Sequence, residues 1–335
     1  MDNNVSKNTF FDKFFKLRCA EDKSTISIKN LLKRDLLQSI DLYQQQKNLN
    51  LDLEFIHTIL ERKIVLLYSS RKKLSSKNKT DQILSKLQLA PIVYSCSIAF
   101  SLTRYSPLSS QIIAKNLVSL LVSNGISATF EFNLKLLIEI AEPGWINFYM
   151  DSIAIAKWLE RTSGFLETLP AKNHSRGETL PLDHNLHKTT KNLFPCQYIH
   201  ARYCSLLRLG AREKLITLQN DNFHKVVWHL ELPKSISWLD KAGNLWLTHA
   251  AEYALLRHLL VVADSFADEM TNWYKLALNL SEAMTFFEAE CRFLGDIKRN
   301  NPEKAIARLG LITLAQYWLQ KILVEKLNIV APTEL

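Results

Sequence analysis

The chain has 335 residues, 47% of them hydrophobic and 22% charged, with a formal net charge of +9. That balance excludes an intrinsically disordered chain and leaves material for one large or two smaller packed domains. Five cysteines (Cys19, Cys96, Cys196, Cys204 and Cys291), an odd number with no CxxC pair, argue against a disulfide framework and a cysteine-rich zinc site.

The start, MDNNVSKNTFFDKFFK, has no apolar run like a signal peptide's core, and no stretch approaches the roughly 20 consecutive apolar residues of a spanning helix. A cytoplasmic protein with no membrane partner is the expectation. The positive charge is compatible with a polyanionic partner, because Lys and Arg near phosphates release condensed counterions. Most of the excess lies in about the first 85 residues. The cluster Arg71, Lys72, Lys73, Lys77 and Lys79 sits in a Ser/Asn-rich run without apolar periodicity. It reads as a solvated loop, with a phosphate contact as the alternative.

In chain order, two helices are expected first. Ile28, Leu31, Leu32, Leu36, Leu37 and Ile40 share one face at three- and four-residue spacing. A second periodic stretch, LDLEFIHTILERKIVLLY, follows an Asn-rich break, with His57 inside its apolar pattern. From Leu89 an apolar strand or helix leads to Tyr105-Ser106-Pro107, where Ser106 suits an N-cap and Pro107 the first helical position. That helix is expected to end at Asn124-Gly125. Alternation around Phe130, Phe132 and Leu134, then again in WINFYMD after Pro143-Gly144, predicts a β-hairpin closing an α+β domain near Trp158 or Leu159.

A Pro- and Gly-containing run without periodicity, from about 162 to 190, reads as a linker. Its Asp183, His184 and His187 lack a fourth ligand and a scaffold, so no metal is expected. After Phe194 the chain reads as wholly helical, in amphipathic segments from about Pro195 to Leu218, Leu245 to Val262, Asp264 to Leu294 and Pro302 to Leu327.

The segment FPCQYIHARYCSLLR resembles the first helix of the anticodon-binding domain of arginyl-tRNA synthetases, through Gln197, Tyr198, His200, Ala201, Arg202, Ser205 and Arg208. LSEAMTFFEAECRFLG and KAIARLGLITLAQYWLQKILVEKLNI are similar to that domain's last two helices, with Ala307-Arg308-Leu309 at the motif for which this DALR domain is named. The closing residues Ala331 to Leu335 resemble the family's Pro-Glu ending. In the first half, Glu142-Pro143-Gly144-Trp145-Ile146-Asn147 resembles the Gly-Pro-Gly hairpin of the synthetase's N-terminal domain, which grips the tRNA elbow.

The periodicity, the charge placement and the resemblance, which covers roughly 90–160 and 192–335, together divide the chain into four parts. These are a helical, basic extension over 1–85, an α+β domain over 86–161, a linker over 162–191 and an all-α anticodon-binding-like bundle over 192–335. The family's catalytic domain, with its HIGH-like and KMSK-like motifs, has no counterpart in the linker. The expectation is therefore a non-catalytic tRNA-binding paralogue without catalytic residues or cofactor, tRNA-Arg being one candidate ligand. A protein–protein adaptor that reuses the scaffold, or a trans-acting partner of a separate synthetase, are the alternatives.

Candidate anticodon-side residues are Gln197, Tyr198, His200, Arg202, Arg208, Arg292 and Arg308; elbow-side candidates are Tyr94, Ser97 and Asn147. Two departures stand out. Ser97 falls where the family has an Asn, and a hydroxyl lacks an amide's paired donor and acceptor. Glu288 falls where the family has a tyrosine, and a carboxylate there would repel phosphate. Trp228, Trp238, Trp246 and Trp273 offer rings for base stacking, although core packing is the commoner use of such residues.

Overall fold

The computed structural model describes residues 26–67, 92–123, 134–168, 193–218, 230–267 and 271–335. Helix α1 (Ile28–Lys47) buries Ile28, Leu31, Leu32, Leu36, Leu37 and Ile40, the face that the periodicity marks. Ser27 caps its start by accepting from Asn30 N, and Asn48 ends it in the left-handed conformation. Helix α2 (Leu53–Lys63), capped by Asp52, buries only Ile56 and Leu60.

The helical reading of LDLEFIHTILERKIVLLY holds only to Lys63. Ile64–Leu67 is strand β1, pairing antiparallel with β2 (Ile92–Cys96), Ile64 opposite Cys96. Its alternation of buried Ile64 and Leu66 with exposed Val65 and Leu67 has the period of a half-buried strand. The described part of 1–85 is thus built into the sheet unit and is not a separate extension.

After β2 come the short helix α3 (Ile98–Leu102) and α4 (Ser110–Ser123). Helix α4 starts later than Ser106-Pro107 suggests, because Ser109 Oγ accepts from Ile112 N while Ser106 Oγ bonds Leu108 N and Tyr43. The hairpin of β3 (Leu137–Ala141) and β4 (Trp145–Met150) completes a four-stranded antiparallel sheet in the order β1-β2-β4-β3. Phe130 and Phe132 lie outside the described residues. At the hairpin tip, Gly144 has φ +140° and a Cβ there would stand 2.7 Å from the Ser110 backbone carbon. Only glycine lets the tip close onto the start of α4, where Ser110 Oγ donates to Pro143 O at 2.6 Å.

Helix α5 (Ser152–Thr168) runs several residues beyond the expected boundary near Leu159. The C-terminal unit holds α6 (Phe194–Arg212), α7 (Ala250–Ser265), α8 (Trp273–Glu290), the short α9 (Asp296–Asn300) and α10 (Pro302–Lys321), which passes into a π-helical turn at Ile322–Lys326. Helix α10 is its axis: every residue from Ala307 to Lys321 is buried. Gly210 lets α6 approach it, since a Cβ there would meet the Leu309 side chain at 2.8 Å.

The unit is not wholly helical. Two short strands, β5 (Thr217–Leu218) and β6 (Leu230–Leu232), pair antiparallel, and Leu239 bridges Leu245. Runs of two or three residues are too short for periodicity to reveal, so the sequence reading misses them.

The two units are joined through a buried carboxylate. Asp264, at the end of α7, accepts from Ser27 Oγ at 2.8 Å, Lys29 N at 3.0 Å and Tyr94 OH at 2.8 Å. Nearby, Trp158 Nε1 donates to Ile26 O at 2.9 Å. Burial pushes the Asp264 carboxyl up to about 6, the three hydrogen bonds and the Lys29 charge working against that rise.

Candidate nucleic-acid interface

Helix α6 carries five of the seven anticodon-side candidates, and its 3.6-residue period sorts them into two groups. Gln197, His200 and Arg208 face the chain's closing segment. Gln197 Nε2 donates to Val330 O at 2.8 Å, and Arg208 Nη1 donates to Thr333 O at 3.0 Å. Arg208 also pairs with Glu334 at 3.3 Å. His200 Nδ1 lies 2.7 Å from Pro332 O; a carbonyl only accepts, so Nδ1 carries the proton. His200 Nε2 then accepts from Gln316 Nε2 at 2.9 Å. His200 is fully buried, and burial pulls its imidazole down to about 4, the bond to Pro332 O opposing the fall. These three polar side chains hold residues 330–334 against the bundle.

The other group is open. Phe194 (56% exposed) and Tyr198 (52% exposed) follow each other at four-residue spacing, their rings 6.4 Å apart. Arg202 continues the stripe one turn on, its side chain 47% exposed. Its Nε donates to Glu288 Oε1 on α8 at 2.6 Å. Glu288 therefore does stand beside a candidate residue, as the partner of its charge. Phe194 is a residue that the sequence reading missed, although its spacing from Tyr198 and Arg202 was visible.

Arg308 is buried, 6% exposed, and its guanidinium is engaged within the protein. Its Nε donates to Glu252 Oε1 at 2.6 Å, and its Nη1 donates to the Arg292 carbonyl. Glu252 uses its other oxygen to close a capping box on α7, accepting from His249 N at 2.6 Å. Arg308 thereby fixes the backbone that carries Arg292, whose side chain is exposed.

The sheet candidates are not brought together. Tyr94 and Asn147 belong to opposite faces, because Tyr94 pairs with Phe148 while Ser95 pairs with Asn147. Tyr94 is 1% exposed and its hydroxyl is given to Asp264. Asn147, half-buried on the other face, accepts from Ser95 Oγ at 2.7 Å. Ser97 is half-buried at the start of α3, with no side-chain capping bond.

Of the tryptophans, Trp238 is buried, with its ring against Gly310, and Trp273 is partly buried, 4.9 Å from the Phe266 ring. The basic cluster Arg71–Lys79, the trio Asp183, His184 and His187, and Trp228 lie outside the described residues. Among the described residues no group of three or more His, Cys, Asp or Glu side chains is placed to hold a metal ion, and no helix is long and apolar enough to cross a membrane. Comparison with protein families, with curated proteins and with solved structures found no match to this chain.

Proposed function

We propose that this protein binds structured RNA of the tRNA type without catalysing aminoacylation, using the outer face of α6 as its loop-contacting surface. The reading begins from the resemblance of both units to the tRNA-gripping modules of arginyl-tRNA synthetases. The observation that carries it is the exposed stripe Phe194, Tyr198 and Arg202, two adjacent rings followed by a guanidinium. Aromatic faces take unpaired bases whatever their identity, and arginine takes phosphate through a planar fork. Asn147 and Ser97, in the sheet unit, are the candidates for a second contact at the tRNA elbow. Gln197, His200, Arg208 and Arg308 act in this reading by shaping the bundle, since each is engaged by the protein itself.

A filter-binding titration at two salt concentrations tests this with purified tRNA-Arg, a second tRNA and a generic hairpin. The expected result is tRNA-preferring binding that weakens steeply with salt. Tyr198→Ala is expected to weaken it by about 1–3 kcal/mol, the range for loss of one base-stacking ring. Absence of binding at low salt overturns the proposal.

The second reading is a protein-binding adaptor, and the Arg202–Glu288 pair favours it. An arginine already matched with a carboxylate suits a protein interface at least as well as RNA. A pull-down that returns one stoichiometric protein partner, with no RNA binding, would establish that reading instead.

A further inference from the structure

The stripe on α6 continues past Arg202 into a cavity. One turn on, Leu206 borders a space of about 650 Å³ between α6, the end of α8 and the chain leading into α9. Its floor is apolar, formed by Leu206, Phe287, Phe293 and Ile312, each less than a tenth exposed. Its border is charged, with Arg202 and Arg292 and the carboxylates of Glu288 and Asp296, the last paired with Arg299 at 2.5 Å outside the cavity lining. A volume within the usual range for ligand cavities, about 300–1,000 Å³, with an apolar floor and two guanidinium groups at the border, suits a flat ring carrying an anion.

Two details make this a built site. Arg292 is held from behind, because buried Arg308 donates to its backbone carbonyl while pairing with Glu252. A cation on a fixed backbone gives up less freedom when it meets a ligand than one on a loose loop. The second detail is Glu288, whose Oε1 sits 2.6 Å from Arg202 Nε. A carboxylate and a phosphate present similar oxygen acceptors to a guanidinium fork, so a phosphate reaching Arg202 would compete with Glu288 for it.

We propose that this cavity binds a nucleoside monophosphate unit, its base within the apolar part and its phosphate on Arg202 and Arg292, with Glu288 as the internal competitor that the phosphate displaces. The unit is either a free nucleotide or an unpaired residue of a bound RNA. The inference extends the RNA reading, on which it rests for Arg202, and is separable from it by experiment.

The full-length chain is titrated calorimetrically with AMP, CMP, inorganic phosphate and a hairpin RNA, in wild type, Arg292→Ala, Glu288→Gln, Leu294→Trp and Tyr198→Ala. Circular dichroism checks that each variant is folded. At least one nucleotide is expected to bind more tightly than inorganic phosphate. Arg292→Ala should weaken it about tenfold or more, and Glu288→Gln should tighten it by roughly three- to tenfold, as expected for loss of a charge-assisted contact and of a competing charge. Leu294→Trp, at a partly buried border position, should weaken it by filling the cavity.

Several results would overturn the proposal. One is the absence of nucleotide and hairpin binding in both wild type and Glu288→Gln. Others are inorganic phosphate binding as tightly as nucleotides, or binding that is indifferent to both Arg292→Ala and Leu294→Trp. Hairpin binding lost only in Tyr198→Ala overturns the cavity site and leaves the RNA reading standing. Cavity-dependent nucleotide binding with no hairpin binding supports the site and removes the RNA reading.

Discussion

Helix α6 and the strand pair β2–β4 each carry polar residues that we propose as candidates for RNA contact, and the fold treats them differently. On α6 the helical period divides the set. Gln197, His200 and Arg208 are committed to residues 330–334, while Tyr198 and Arg202 stay open beside Phe194. On the strands a period of two sends Tyr94 inward to Asp264 and leaves Asn147 on the opposite face with Ser95. Adjacent polar residues in a motif need not share a task. The element's period decides which of them lie exposed and which hold the frame.

The largest expected effect comes from the frame. Arg308→Met should destabilise the protein by about 3–5 kcal/mol in chemical denaturation, since it leaves Glu252 buried without its cation. Adding Glu252→Gln should recover part of that loss. A small effect for Arg308→Met alone would mean that water reaches Glu252 and the pair is not closed.

Asp264→Ala should cost on the order of 3 kcal/mol, because the donors Ser27 Oγ, Lys29 N and Tyr94 OH lose a shared acceptor. Asp264→Asn should cost less, as the amide oxygen keeps part of that acceptance.

The same residues make a prediction about pH. Asp264 is raised from 3.8 to about 6 in the folded state, so the folded protein binds the extra proton across that window and stability falls as pH rises from about 4 to 6. His200 is lowered from 6.5 to about 4, so the unfolded chain binds the extra proton and stability rises with pH over nearly the same window. The two slopes oppose each other, leaving little net dependence from this pair between about pH 4 and 6. Denaturation midpoints should therefore rise with pH more steeply in Asp264→Asn than in wild type, and fall with pH in His200→Gln. Parallel profiles for all three proteins would show that neither group titrates as its burial demands.

The smallest effect is expected on the open face. Tyr198→Ala should change stability by no more than about 0.5 kcal/mol, as an exposed substitution away from the core. A larger loss would place Tyr198 with the frame residues and blur the division along α6.

Much of the fold is legible in local pattern. The buried face of α1, the β3–β4 hairpin and the long C-terminal helices follow from periodicity and turn residues. What escapes is non-local. Ile64–Leu67 reads as a continuing helix until its partner, Ile92–Cys96, is known. Glu288 is visible in sequence as a departure, but its pairing with Arg202 depends on α6 and α8 lying side by side. Arg308 looks like a ligand contact because nothing local reveals that it is buried against Glu252. Of the proposed site, the sequence names Tyr198 and Arg202 among its candidates; only the fold shows that these two are exposed beside Phe194 while their neighbours are engaged on the inner face.

The carboxylate of Asp264 bears finally on how the molecule comes apart. It is satisfied only when the end of α7, the start of α1 and the strand β2 are all in place. A chain cut within 169–192 would strand a buried acceptor in one piece and its donors in the other. The bundle and the sheet unit should accordingly melt together in a single cooperative transition, and the separated halves should each be less stable than their sizes suggest.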